Sequence, residues 1–241
     1  MTRAGPDRDA GRVDAVRERM ARPSRRKVRT KDFEFFKDHA RATFERLAAD
    51  DPRNGFFDAV YSLRVTPGGA MGGLDRRLVE VFYGNRPIEA VEEFVSREGR
   101  EPRLQERFLA EHGACLFYQR MDSGVVMVGL RPAGSEGFRR REQMILLEWV
   151  RAPDVLRRRA APERHWRAFM SYMECTSLEG EPTFVDRARV WWLLFMRPTV
   201  VGGTYVTALC WLAGATVARY ALTVGLSGFL LAIVQWLLAP A

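Results

Sequence analysis

The spacing of hydrophobic and polar residues along the middle of the chain predicts a mixture of helices and strands. Apolar residues recur every three or four positions at 31–49, which is the period of an amphipathic helix. Apolar and polar residues alternate one by one across 57–65, which is the period of a half-buried strand. The same patterns predict further strands at 78–83, 115–121, 125–131 and 144–150, and helices at 88–98, 104–111, around 166–173 and from about residue 183. This order predicts one cytoplasmic α+β domain at 32–186 with a mostly antiparallel sheet.

The C-terminal part of the chain has a different character from the middle. Residues 199–241 are hydrophobic at 29 of 43 positions and carry a single charge, Arg219. A hydrocarbon core of about 30 Å needs roughly 20 helical residues, so this run is long enough for two crossings. Arg219 and Tyr220 divide it in the middle, where a turn at the far membrane interface would lie. We therefore predict a transmembrane α-helical hairpin with helices at 199–218 and 221–239.

Small residues in the predicted membrane helices are spaced four positions apart. Gly214 with Ala218 and Ala221 with Gly225 form two such pairs. This spacing lets helix backbones approach closely in lipid. We expect these four residues to support a homo-oligomer.

A tryptophan-rich segment precedes the predicted membrane hairpin. Trp191 and Trp192 lie between basic residues, of which Arg197 comes last, and this pattern is typical of a helix at the membrane interface. The segment 187–198 is therefore predicted to be interfacial and, by its arginines, cytoplasmic. No signal peptide is recognisable, so we expect a multi-pass protein of the inner membrane with its N-terminal domain in the cytoplasm. The alternative is a buried helical hairpin at 199–239 in a soluble protein.

The formal charge of +8 is concentrated at the N-terminus. Residues 1–31 hold 11 basic and 4 acidic side chains, a net charge of +7, which predicts a disordered basic tail rather than a broadly basic nucleic-acid-binding domain. Arg25, Arg26 and Lys27 are its candidate contacts with anionic lipid headgroups. A nucleic-acid arm and a plain solvated tail are the alternatives.

Sequence motifs for metal or phosphate chemistry are weak. The three cysteines and three histidines show no zinc-site spacing and no CxxC pair, so we predict no metal and no cofactor. The glycine cluster at 67–73 lacks the order of a dinucleotide-binding or P-loop motif, which favours a flexible hairpin loop. An anion site assisted by Arg76 and Arg77 remains as the alternative for that loop. A further loop carries Arg139, Arg140 and Arg141, which are candidates for headgroup or phosphate contacts. The favoured alternative is a solvated face, partly balanced by acidic residues such as Glu142.

One short pattern resembles a family of enzymes. Arg107 and His112 have the form RxxxxH, which resembles the HEPN ribonucleases, and Arg159 with His165 fits a looser spacing of the same kind. The resemblance covers six residues. It implies that Arg107 and His112, a little more than one helical turn apart, would act as catalytic residues on RNA phosphate.

Taken together, these patterns favour a non-enzymatic membrane protein. We expect a cytoplasmic sensing or docking domain coupled to an oligomerising transmembrane hairpin, an architecture that would suit a membrane-perturbing effector, for instance in bacterial defence. A membrane-tethered enzyme acting on RNA or nucleotides is one alternative. A scaffold or anchor subunit whose protein partner carries the activity is the other.

Overall fold

A computed structural model describes residues 24–70, 73–95, 103–212 and 214–216. Numbered along the chain, its strands are β1 (Leu63–Pro67), β2 (Leu78–Tyr83), β3 (Asn85–Val95), β4 (Arg103–His112), β5 (Cys115–Arg120), β6 (Val126–Arg131), β7 (Met144–Val150), β8 (Thr199–Val201) and β9 (Thr204–Val206). Its helices are α1 (Arg25–Asp50), α2 (Asn54–Tyr61), α3 (Ala160–Thr176) and α4 (Phe184–Met196), with a 3₁₀ helix at Pro153–Arg157. Strands β1-β2-β5-β6-β7-β8-β9 form an antiparallel sheet and β3-β4 a separate ribbon. The predicted α+β domain with a mostly antiparallel sheet is confirmed.

The long helices α1 and α3 cover one face of the main sheet. Phe36 and Phe44 of α1 lie 4.8 and 5.9 Å from the Tyr118 ring of β5, and Phe44 lies 6.3 Å from Trp166 of α3, measured between ring centroids. Burial of such aromatic side chains is the main favourable contribution to folding here. The predicted helices around 31–49 and 166–173 are confirmed.

Helix α1 begins earlier than the sequence predicts. Ser24 is its N-cap, with its hydroxyl accepting a hydrogen bond from the Lys27 backbone nitrogen at 3.3 Å. Arg25, Arg26 and Lys27 therefore lie in the first helical turn, so the boundary of a disordered tail at residue 31 is wrong. The remainder of that predicted tail, 1–23, lies outside the described residues.

The predicted strand at 57–65 is wrong in its first half. Helix α2 ends at Tyr61, and β1 begins only at Leu63. Phe57 and Tyr61 are both buried, because a separation of four residues also places them on one helix face. Asp58 ends the helix by accepting a hydrogen bond from the Leu63 backbone nitrogen at 2.6 Å.

The helices predicted at 88–98 and 104–111 are also wrong. The described part of these segments forms strands β3 and β4, which continue the paired strands β2 and β5 outward as a ribbon. Residues 96–98 lie outside the described residues. The two strands are stabilised by hydrogen bonds to each other. The hydrophobic periodicity of one segment does not reveal which other segment it pairs with. Gly84 and Gly113 mark the two points where the hairpin leaves the main sheet. A Cβ on Gly84 would lie 2.6 Å from the Tyr61 carbonyl oxygen, so this bend requires glycine.

The strands predicted at 78–83, 115–121, 125–131 and 144–150 are confirmed as β2, β5, β6 and β7. The last predicted helix, from about residue 183, is confirmed as α4. The glycine-rich loop at 67–73 connects the antiparallel pair β1 and β2, as expected for a hairpin loop.

Residues 199–206 form a β-hairpin, so a helix that starts at 199 is wrong. Gly202 and Gly203 form its turn with positive φ angles of 57° and 74°, and β-branched residues flank them. Strand β8 adds to the edge of the main sheet by pairing with β7. Residues 209–212 and 214–216 are helical. Within the described ranges, no helix has the length and apolar character needed to cross a bilayer, and the predicted helix at 221–239 lies outside those ranges.

Replacing Gly113 with alanine should destabilise the domain by about 1–3 kcal/mol, the usual cost of overpacking. The added Cβ would clash with the Tyr83 Cβ and lie 2.7 Å from its carbonyl oxygen. Thermal unfolding of the detergent-purified chain measures the effect. Gly137→Ala is the matched control, because its Cβ would meet no atom within 4 Å. Equal melting temperatures for the two variants would contradict the close approach at Gly113.

Candidate membrane-facing surface

The N-terminus of α4 is fixed by a buried carboxylate. Asp186 accepts hydrogen bonds from the hydroxyls of Thr183 at 2.6 Å and Ser171 at 2.7 Å, and from the Arg53 guanidinium at 3.2 Å. Thr183 is the N-cap: its hydroxyl accepts from the Asp186 backbone nitrogen, and its own backbone nitrogen donates to the Asp186 carboxylate, each at 3.2 Å, which together form a capping box. Burial raises the pKa of Asp186, but these hydrogen bonds and the Arg53 charge bring it below its ordinary value. The carboxylate therefore stays ionised and joins α4 to α3 and to the start of α2.

Helix α4 presents an aromatic face to solvent. Its inner side is formed by Val190, with Leu193 and Leu194 partly buried against the core. On the outer side, Trp191 and Trp192 are 62% and 54% exposed. The Trp191 ring stacks on Phe195 with centroids 5.4 Å apart and planes 3° from parallel. Large exposed tryptophans on a firmly held helix indicate a surface that contacts something other than water.

Exposed apolar residues also occur between α4 and the C-terminal end of the described residues. Trp211 is 72% exposed in the short helical stretch that follows β9. Other exposed apolar residues of this region are Phe184, Val185, Met196, Tyr205, Leu209 and Leu212. Arg187 and Arg197 are exposed on and beside α4. We call the exposed apolar residues from 184 to 212 the aromatic strip.

Two residues of the predicted membrane interface, Trp191 and Trp192, belong to the strip, and Arg197 is exposed beside it. Arg219 and Tyr220 lie outside the described residues. Of the four predicted helix-packing residues, Gly214 alone is described, and a Cβ added to it would meet no atom within 4 Å. Ala218, Ala221 and Gly225 are outside the described ranges.

Comparisons with protein-family models, with curated proteins and with solved structures found no match to this chain.

The two predicted basic clusters lie at opposite ends of the main sheet. The first turns of α1 lie against the β5–β6 turn, where a Cβ on Gly124 would be 2.8 Å from the Arg29 Cβ. Arg139, Arg140 and Arg141 belong to the β6–β7 loop at the other end of β6. Six strand residues separate the two ends by about 17 Å. The structure does not combine them into one anion site.

Arg107 and His112 do not have the geometry that the HEPN resemblance implies. Both lie on strand β4, where a separation of five residues directs side chains to opposite faces. Arg107 pairs with Glu136, and His112 Nδ1 lies 2.7 Å from the Asn85 side-chain oxygen. The helix that would bring an arginine and a histidine to one phosphate is absent from this described segment.

The glycine loop between β1 and β2 already holds a carboxylate of the chain itself. The Ala70 backbone nitrogen donates to Glu80 Oε2 at 2.6 Å, and Arg131 pairs with the other Glu80 oxygen. Arg77 pairs with Asp122 at 2.8 Å. These contacts give no support to a phosphate site formed by this loop with Arg76 and Arg77.

The cysteines show no sign of reactivity or metal binding. All three are free thiols, and burial raises the pKa of Cys115 to about 12. Among the described residues, no group of three or more histidine, cysteine, aspartate or glutamate side chains could hold a metal ion.

A buried polar chain between β5, β7 and α3 was not predicted from the sequence. The Tyr118 hydroxyl lies 2.9 Å from His165 Nδ1, and His165 Nε2 lies 2.9 Å from Glu148. An ionised carboxylate can only accept, so His165 Nε2 donates to Glu148, and in the neutral ring Nδ1 then accepts from the Tyr118 hydroxyl. A β-bulge in the β6–β7 pairing places Glu148 opposite Val128 on the helix-covered face. These contacts give both ring nitrogens of His165 a hydrogen-bond partner, as a histidine that is only 2% exposed requires.

The hydrogen bonds among Tyr118, His165 and Glu148 make the stability of the domain sensitive to acid. The hydrogen bond from His165, aided by the nearby Arg164 charge, lowers the pKa of Glu148 below its ordinary 4.5 despite partial burial. A group whose pKa is lower in the folded state stabilises the fold above its unfolded pKa, and this contribution disappears as pH falls through the folded pKa. We expect the unfolding free energy of Glu148→Gln to fall less than that of wild type between about pH 5 and about pH 3.

Denaturant unfolding at several pH values measures this difference. Glu45→Gln is the matched control, because Glu45 is exposed on α1 and has no hydrogen-bond or ion-pair partner in the described part of the chain. Parallel pH curves for Glu148→Gln and wild type would exclude the linkage.

Proposed function

We propose that this protein is attached to a membrane and that its α+β domain docks on the bilayer surface through the aromatic strip. The observation that carries the proposal is the exposure of Trp191 and Trp192 on a helix whose other side is anchored in the core. Tryptophan prefers the headgroup region, where its apolar ring and its N–H group are both accommodated.

The sequence beyond the described domain supports attachment at this place. Residues 221–239 contain ten strongly apolar residues and no charge, enough to insert as one membrane helix. The aromatic strip ends at residue 212, a few residues before this segment. A membrane helix that starts there would hold the strip at the level of the headgroups.

The β8–β9 hairpin changes the topology that we propose. With strands up to residue 206, the first predicted membrane helix is left with 207–218, about 18 Å of helix, which is shorter than a hydrocarbon core of about 30 Å. We therefore propose one crossing, by 221–239, in place of two. In this topology Arg219 and Tyr220 would lie at the interface on the domain side, and the arginines of this region favour a cytoplasmic domain.

The proposed activity is docking, with no catalytic step. Self-association through Gly214, Ala218, Ala221 and Gly225 stays a prediction, as does an effector role.

Tryptophan quenching by lipids tests the docking. The full chain is reconstituted into vesicles that contain lipids brominated close to the headgroup, and the quenched fraction of its tryptophan fluorescence is measured. We expect Trp191→Phe/Trp192→Phe to lower that fraction, because the two exposed indoles contribute much of the interfacial contact. Phenylalanine keeps an apolar ring at each position, so docking itself should persist.

The matched control is Trp149→Phe. Trp149 is 46% exposed on β7, outside the aromatic strip, and should contribute little to quenching by these lipids. An equal loss of quenching in Trp149→Phe and in the double variant would contradict docking through the strip.

A further inference from the structure

We propose that a cleft beside the β6–β7 loop is a binding site for a phosphate group, the chemistry shared by acidic lipid headgroups and free phosphate. The cleft has a volume of about 410 Å³, and Arg139, Arg141 and His112 are among its lining residues. Identifying a lipid headgroup as the ligand depends on the proposed membrane function. The existence of a phosphate site does not depend on it.

The charges around the cleft leave two guanidinium groups uncompensated. Arg131 pairs with Glu80, and Arg140 pairs with the buried Glu142 at 3.0 Å. Arg139 and Arg141 are exposed and have no hydrogen-bond or ion-pair partner among the residues that the structure describes. Two arginines separated by one residue can each present a planar pair of N–H donors, the geometry that suits phosphate oxygens.

The backbone around these arginines is held in place before any ligand binds. His112 and Gly134 exchange two backbone hydrogen bonds of 2.8 and 3.0 Å, and Ser135 and Phe138 close a turn. The Ala133 nitrogen donates to the Thr176 hydroxyl of α3 at 3.1 Å. A loop fixed in this way loses little conformational freedom on binding, which favours affinity.

His112 can add a third donor to the cleft. Its Nδ1 donates to the Asn85 side-chain oxygen at 2.7 Å, which leaves Nε2 as the other ring nitrogen. Nε2 donates in the doubly protonated ring, in which both ring nitrogens carry a hydrogen.

The position of the cleft favours the lipid as the source. Gln143, at its edge, donates from its backbone nitrogen to the Val200 oxygen at 2.8 Å. The Gln143 side-chain oxygen accepts from the Gly203 nitrogen in the β8–β9 turn at 2.9 Å. The cleft therefore borders the hairpin that leads into the apolar C-terminal segment, at the depth where headgroup phosphates would lie.

Two binding measurements on the detergent-purified full chain test the site. Native mass spectrometry compares retention of phosphatidic acid with retention of phosphatidylcholine, and calorimetric titration measures binding of inorganic phosphate. We expect preferential retention of phosphatidic acid, and Arg139→Ala/Arg141→Ala should weaken it about tenfold or more, because two charge-assisted contacts are lost.

Arg41→Ala/Arg46→Ala is the matched control. It removes the same charge from exposed residues of α1 that do not line the cleft, so binding should stay at the wild-type level. Binding of inorganic phosphate that depends on Arg139 and Arg141 supports the site and, without lipid retention, identifies free phosphate as its source.

Three results would overturn the proposal. The first is that neither phosphatidic acid nor inorganic phosphate binds. The second is binding that is unchanged in Arg139→Ala/Arg141→Ala. The third is an equal loss of binding in both double variants, which would show a general charge effect. Phosphate binding is measured without a bilayer, so a failure of membrane docking leaves this result intact and the two hypotheses are separable.

Discussion

The buried carboxylate of Asp186 is the interaction on which the functional surface depends. It accepts hydrogen bonds from α3 through Ser171 and from the start of α2 through Arg53, and it caps the helix to which it belongs. Arg53 also binds Asp51 at 2.8 Å, so one guanidinium bridges two carboxylates from different parts of the chain. Removing one member of such a buried network leaves the others without partners, which costs more than the contact itself. The orientation of α4, and with it the direction of Trp191 and Trp192, follows from this network.

Once α4 is oriented, its amphipathic sequence determines which residues point away from the core. Val190 occupies the core, and the neighbouring positions 191 and 192 must then point away from it. A soluble domain gains nothing from two exposed tryptophans and loses solubility. A bilayer interface gives the same residues a favourable environment, and the adjacent arginines are compatible with anionic headgroups.

The sequence predicted those elements whose apolar residues face a single large core. Helix α1 and strands β5, β6 and β7 follow their periodicity, because one buried face decides each of them. Strands β3 and β4 were missed because their stability comes from pairing with each other, and α2 because Phe57 and Tyr61 fit both periods. The β8–β9 hairpin had a local signal, Gly202-Gly203 between β-branched residues, which the apolar character of the whole segment obscured.

Site chemistry was less predictable than the fold. The exposed tryptophans and the arginine loop could be recognised from composition, but their separation from the basic start of α1 is a property of the sheet. Tyr118 and Glu148 lie 47 and 17 residues before His165, so no local pattern joins them. The one available signal was His165 itself, which lies four residues before Phe169 on the buried stripe of α3.

In the proposed function, the apolar segment that follows the aromatic strip fixes the domain to a bilayer. This attachment is tested by extracting membranes that contain the full chain with alkaline carbonate, followed by flotation. We expect the chain to float with the lipid after extraction, because a helix at 221–239 would insert across the bilayer. Quantitative release of the chain into the carbonate supernatant would contradict it.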